Sequence, residues 1–418
     1  MTEAPSRDEE ASEPPSIPLL EPRDGTPDPV ETTEDLERTA AAFAAGTGPV
    51  AVDAERASGY RYGQRAYLVQ LRRVGAGTAL IDPACCPDLT IVDEALADAE
   101  WVLHAASQDL PCLAEIGMRP RRLFDTELAG RLASFDRVGL GTMVEQVLGY
   151  RLEKGHSASD WSTRPLPRAW LTYAALDVEL LIELRDALEV ELAGQGKLGW
   201  AREEFAALVN ASPPVTRPEP WRRTSGIHRV RAPRALAVVR ELWETRDAIA
   251  QSDNIAPGRI LPDSAIVAAA LANPASEEAL LQVPVFGGRA NRRLVSRWYE
   301  AIESARGLPH ADLPATRAES DGPPPAHRWR EREPAASLRL VAAKEAVSSV
   351  AEEHNLPAEN LISPDLVRRL AWAPPDPLTP DAVAETLRTG GARSWQIGLT
   401  ATLLTTAMSA SDGADATP

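Results

Sequence analysis

The chain has 418 residues, 25% of them charged and 44% hydrophobic, and a formal net charge of −17. That length allows two or three domains, each able to bury a core, and no apolar run reaches the roughly 20 residues that a membrane-spanning helix needs. The start, MTEAPSRDEEASEPPS, has neither the basic nor the apolar region of a secretory leader, and Cys85, Cys86 and Cys112 form no metal-ligand or disulfide pattern, so a reduced, cytoplasmic protein is expected.

Acidic residues crowd the first 37 positions, opposed only by Arg7 and Arg23. Rich in proline and poor in aromatics, that stretch reads as a disordered, solvating tail. From residue 38 to 210, short β-like runs (Pro49 to Asp53, Ala66 to Leu71, Thr78 to Ile81, Trp101 to His104) are followed by helical patterns. Early strands on hairpin-length links, then strand and helix in alternation, predict a mixed sheet covered by helices. Asp125-Thr126 opens a helix, another runs from Leu140 to Leu148, and a long one spans Arg168 to Glu189. Residues 211–234 form a proline-punctuated linker carrying Arg217, Arg222, Arg223, Arg229, Arg231 and Arg234, a local positive sign that matters more to a polyanion than the acidic total. Residues 235–307 read as a bundle of four or five short helices, 308–335 as a second linker, 336–408 as a second, diverged copy of the bundle, and 409–418 as a tail. The repeat shows where NIAPGRILPDSAIVAAALANP is echoed by HNLPAENLISPDLVRRLAWAPP.

Four acidic residues carry the chemistry. Asp53 and Glu55 in PVAVDAE stand two apart on a strand, so their carboxylates share a face. Asp109 in HAASQDLPCL follows an apolar strand and opens a helix. Asp177 in YAALDVELL comes four residues after Tyr173, which puts phenol and carboxylate one turn apart on one helix face. Such a set can hold two divalent ions, because hard cations prefer carboxylate oxygens. Alone, a DxE pair decorates a strand end and Tyr173 is a half-buried core residue; the joint pattern is what argues for a site. Asp125 reads as a helix cap and His104 as a structural histidine.

The three segments resemble the exonuclease motifs of the DEDD nucleases, in the tyrosine subclass. The histidine of the other subclass would stand at Thr172, and His156 is one residue short of that spacing before Asp160. With the flanks DAERASGYRYGQRAYLVQL, LFDTELAGRL and KGHSASDWSTRPLPRAWLTYAALDVELL, residues 38–210 are similar to the ribonuclease D family, and 235–307 resembles a helicase-and-RNase-D C-terminal (HRDC) domain. The resemblance implies an α/β ribonuclease H-like exonuclease domain followed by two small all-α bundles. It implies a 3′→5′ exoribonuclease that releases nucleoside 5′-monophosphates and trims 3′ ends of tRNA precursors, using two divalent ions, Mg²⁺ or Mn²⁺, about 4 Å apart. In that scheme Asp53 bridges the ions, Glu55 and Asp177 complete the water-activating one, Asp109 serves the second through water, and Tyr173 partners the attacking water. Lys154, Trp161 and Arg164 lie in a loop that resembles one approaching the site in the family, which makes them candidate RNA contacts; for Trp161, packing is the preferred reading. Arg289, Arg292 and Arg293, with Arg297, recur at helical spacings as a phosphate-binding or simply solvated face. The expected partner is RNA, with no membrane, for a monomer. A DNA exonuclease would use the same ligands. A non-catalytic RNA-binding protein is the rival of another class, disfavoured because no ligand is lost.

Overall fold

The computed structural model describes residues 16–153, 155–156, 158–212, 218–317 and 322–414. It begins with β1 (Ile17–Leu19), β2 (Pro29–Val30) and α1 (Thr33–Ala45), followed by β3 (Thr47–Arg56), β4 (Ala66–Val74) and β5 (Gly77–Ile81). Next come α2 (Thr90–Ala95), β6 (Trp101–Leu103), α3 (Leu110–Glu115), β7 (Leu123–Asp125), α4 (Thr126–Leu132), α5 (Leu140–Leu148) and β8 (Tyr150–Leu152). Three helices, α6 (Arg168–Glu179), α7 (Leu181–Gly194) and α8 (Leu198–Val209), complete the first half. The main sheet has the order β2-β5-β4-β3-β6-β7. In it β3, β4 and β5 form an antiparallel meander, while β6 and β7 run parallel to β3. This is the mixed, helix-covered sheet expected from the hairpin-length links and the later strand–helix alternation.

The acidic segment departs from its reading as a disordered tail. Residues 1–15 lie outside the described residues, but Ile17–Leu19 pair with Tyr150–Leu152 and Pro29–Val30 with Leu80–Ile81. Ion pairs finish the attachment: Arg72 meets Asp24 at 3.2 Å, Arg168 meets Asp28 at 2.9 Å, and Arg23 meets Glu183 at 2.7 Å. Low hydrophobicity suggested a free tail, and cations more than 40 positions downstream overrule it. The long helix also differs: it breaks at Leu180 (φ −114°, ψ 7°) into α6 and α7.

The first helical block holds α9 (Pro233–Asp253), α10 (Pro257–Ile260), α11 (Asp263–Ala272), α12 (Glu277–Leu281), α13 (Arg289–Arg292) and α14 (Val295–Gly307). The second holds α15 (Trp329–Arg332), α16 (Pro334–Glu353), α17 (Ala358–Leu361), α18 (Pro364–Trp372), α19 (Pro380–Thr389) and α20 (Ser394–Ala414). Both run long helix, left-handed Asn (Asn254 and Asn355, φ 49° each), proline, one-turn helix, helix. Asn tolerates that conformation better than other non-glycine residues, so the echo in sequence is an echo in backbone. Both linkers are partly folded: Trp221 and Leu313 pack into the first block and Trp329 is fully buried in the second. Helix α20 also extends to Ala414, into the 409–418 stretch read as a terminal tail.

The second block is fused to the exonuclease half instead of standing apart. Trp200 of α8 stacks on Trp395 (4.9 Å, 13°), and the buried Lys197 ammonium donates to Leu132 O (2.8 Å) and Asn355 O (3.0 Å). One apolar cluster runs through both. The first block keeps its own core and docks on the loop after β3, where Arg259 donates to Gly59 O (2.7 Å) and Tyr62 to Asp247 (3.1 Å). No helix among the described residues is long and apolar enough to cross a membrane.

Candidate active site

Strand alternation aims Asp53 and Glu55 from β3 to the face covered by α6. Helix α6 is seated there by Leu171, Ala174 and Ala175, which pack with Leu68, Leu80 and the fully buried Trp161. That seating sets Tyr173 and Asp177, one turn apart, over the strand carboxylates. Oxygens of Asp53, Glu55 and Asp177 all lie within 4.8 Å of one another, and the Tyr173 phenol neighbours the Asp177 carboxylate.

Asp109 arrives by a separate device. Asp125 at the end of β7 accepts from Glu127 N and Leu128 N, capping α4, and also from Ala105 N (3.1 Å) and Ala106 N (2.9 Å). Those bonds hold Ala105 in a left-handed conformation (φ 60°), uncommon for a residue with a Cβ, and so shape the turn that delivers Asp109 to the start of α3. Asp109 is buried and outside the tight three-carboxylate group; Arg56 Nη2 lies 3.4 Å from its Oδ1.

Burial and mutual repulsion push these acids upward. Glu55 is raised to about 10, first by desolvation and then by the charges of Asp53, Asp177 and Asp109. Asp109 is pushed up to about 8 by desolvation and by Asp53, against the pull of Arg56. Asp53 and Asp177 rise for the same leading reason, burial. The Tyr173 phenol also rises, through burial and then the neighbouring Asp177 charge, so it keeps its proton at neutral pH. The Arg56 guanidinium opposes this surplus at Asp53, Glu55 and Asp109. An all-oxygen set with excess negative charge fits a hard divalent cation.

The other candidates divide. Trp161 is core, as preferred. Arg164 is engaged within the protein: its five N–H groups are all committed, to both oxygens of the fully buried Asp82 (2.6 Å each) and to the carbonyls of Tyr67, Trp161 and Thr163. A guanidinium so engaged has no donor left for phosphate. Lys154 and Arg217 lie outside the described residues. Arg289, Arg292, Arg293 and Arg297 are exposed on the first helical block. Of the linker arginines, Arg234 is used as a cap, donating to Ala305, Arg306 and Leu308 carbonyls. His104 is structural: Nδ1 pairs with Thr126 Oγ1 at 2.9 Å, and burial lowers it to about 4. The His156 ring packs edge-on against Tyr173, 5.9 Å between centroids. Arg56, beside the acidic pair, was overlooked in sequence; a cation directly after two carboxylates was the available signal.

Comparison with known proteins places the chain by family and fold. A family model described as 3'-5' exonuclease matches residues 27–193, one described as HRDC domain matches 235–302, and one described as 3' to 5' exonuclease C-terminal domain matches 322–408. The chain is 34% identical to a ribonuclease D of Granulibacter bethesdensis over 78% of its own length and 82% of that protein. It is similar to the solved structure of a Bifidobacterium adolescentis protein, with TM-score 0.88, 38% identity, and coverage of 94% of this chain and 100% of that one. It is also similar to Escherichia coli RNase D, described as an exoribonuclease involved in structured RNA processing, with TM-score 0.68, 25% identity, and coverage of 92% and 98%.

Proposed function

This chain belongs to the ribonuclease D family and is a 3′→5′ exoribonuclease, and from that premise we propose that Asp53, Glu55, Asp109 and Asp177 hold two divalent ions, Mg²⁺ or Mn²⁺, at which the 3′-terminal phosphodiester of RNA is hydrolysed. The observation that carries the reading is the meeting of Asp53, Glu55 and Asp177 oxygens within 4.8 Å, from a strand and a helix more than 100 residues apart. Bound there, the ions would acidify the attacking water and offset charge on the phosphate and the departing 3′ oxygen.

The chain's own groups prepare the rest. The Tyr173 hydroxyl, beside Asp177 and with its proton retained, is placed to hydrogen-bond the attacking water, so it orients that water and does not deprotonate it. Asp53 and Glu55, fixed by strand geometry, present their oxygens without reorganisation. Arg56 restrains Asp109 on the second side. The exposed Arg289, Arg292, Arg293 and Arg297 supply phosphate contacts that carry no sequence preference, consistent with trimming folded RNA such as tRNA precursors in the cytoplasm, by a monomer.

The test is degradation of matched 3′-labelled RNA and DNA in EDTA, Mg²⁺ and Mn²⁺, with Asp53→Asn alongside. We expect metal-dependent release of 5′-mononucleotides from RNA and none from Asp53→Asn. Undiminished cleavage by folded Asp53→Asn would sink the ion assignment, and preference for DNA would sink the substrate assignment.

A further inference from the structure

Gln70 lies in the middle of β4, fully buried, and neither atom of its amide has a hydrogen-bond partner among the described residues. The antiparallel register sets it directly opposite Asp53, and residues opposite in such a pair point to the same face. That face is the one α6 covers, since the next pair along it, Glu55 and Leu68, includes the Leu68 that packs with Leu171, Ala174 and Ala175. Two residues the other way stands Arg72, which pairs with the fully buried Glu179 at 3.2 Å; Glu179 Oε2 is likewise without a partner. A buried amide left unpaired opposes folding. Methionine or leucine would fill this position without that penalty, so the polar atoms serve something besides packing.

We propose that Gln70 is a positioning residue for the acidic cluster: its amide hydrogen-bonds Asp53 through one water, holds that carboxylate in a single rotamer and thereby sets how tightly the site takes divalent ions. Groups behind a ligand commonly act this way, by removing the freedom the ligand would otherwise lose on binding. Glu179 is the competing acceptor on this face, and its side of the amide is backed by Arg72 and Arg23. The inference rests on reading Asp53 as an ion ligand.

Full-length Gln70→Met and Gln70→Leu, both apolar and close in size, are titrated with Mn²⁺ alone by electron paramagnetic resonance, and their melting is followed in EDTA. Mn²⁺ affinity should fall 10- to 100-fold, kcat on a 3′-labelled RNA should fall with it at unchanged KM, and melting in EDTA should match or exceed the parent. Parent-like Mn²⁺ affinity in either folded variant overturns the proposal; if stability in EDTA drops at the same time, the amide serves Glu179. Asp53→Asn in the same titration separates the two layers. Parent-like Mn²⁺ binding there removes Asp53 as a ligand, whereas lost binding there beside unchanged binding in Gln70→Met removes only the role of Gln70.

Discussion

Replacing Glu55 by Gln should make the metal-free protein more stable at alkaline pH while destroying its activity. In the folded, ion-free chain Glu55 is raised from the ordinary 4.5 to about 10 by burial and by Asp53, Asp177 and Asp109. A group with a raised folded pKa contributes its stability below the unfolded value and loses it as pH climbs toward the folded one. Through Glu55 alone the native state therefore holds, between pH 5 and 8, about one proton that the unfolded chain has released, and this group's share of the stability falls by about 4 kcal/mol across the window. At roughly 2.1 cal/mol/K of unfolding entropy per residue, a chain of 418 residues turns that into a melting shift of about 5 °C. The assay is thermal unfolding in EDTA from pH 5 to 8, compared with the same series in Mg²⁺. The parent should lose about 5 °C more than Glu55→Gln in EDTA, and Mg²⁺ should restore the parent increasingly as pH rises, because ion binding needs deprotonated ligands. Parallel EDTA curves for parent and variant, or a Mg²⁺ effect that shrinks with pH, would refute the electrostatic account of the site.

Three other perturbations probe separate parts. Tyr173→Phe keeps the ring but removes the hydroxyl beside Asp177, so single-turnover kcat should fall about 100-fold with RNA affinity unchanged; a parent-like rate would return Tyr173 to packing. Arg164→Ala strands the fully buried Asp82 carboxylate, and denaturant titration should show a loss of about 3–5 kcal/mol, with RNA affinity of the folded fraction intact; weakened RNA binding without lost stability would instead restore the phosphate role. Replacing Arg289, Arg292 and Arg293 together by Gln should flatten the dependence of log K on log salt for a single-stranded 3′ tail by up to about 2, at about 0.7 per lost contact. An unchanged slope would mean that these side chains face only solvent.

The sequence alone determined what depends on neighbours within one turn or one pleat. Asp53 and Glu55 share a face because a strand alternates with period two, and Tyr173 and Asp177 because a helix returns every fourth residue. Asp125 was legible as a cap and the helix over Leu140–Leu148 as a helix for the same local reason. Tertiary structure decided whatever required distant segments to meet. Arg164 reads as a spare cation until Asp82, 82 positions away, takes it up. The acidic segment from Ile17 looks free until Tyr150–Leu152 pair with it. The second helical block looks like an independent bundle until Trp395 stacks on Trp200. Gln70 looks like any polar residue on a strand until the register puts it opposite Asp53 beneath α6. Backbone periodicity propagates along the chain and can be read from it, whereas charge pairing, desolvation and fused cores depend on which surfaces meet once the loops between them have closed.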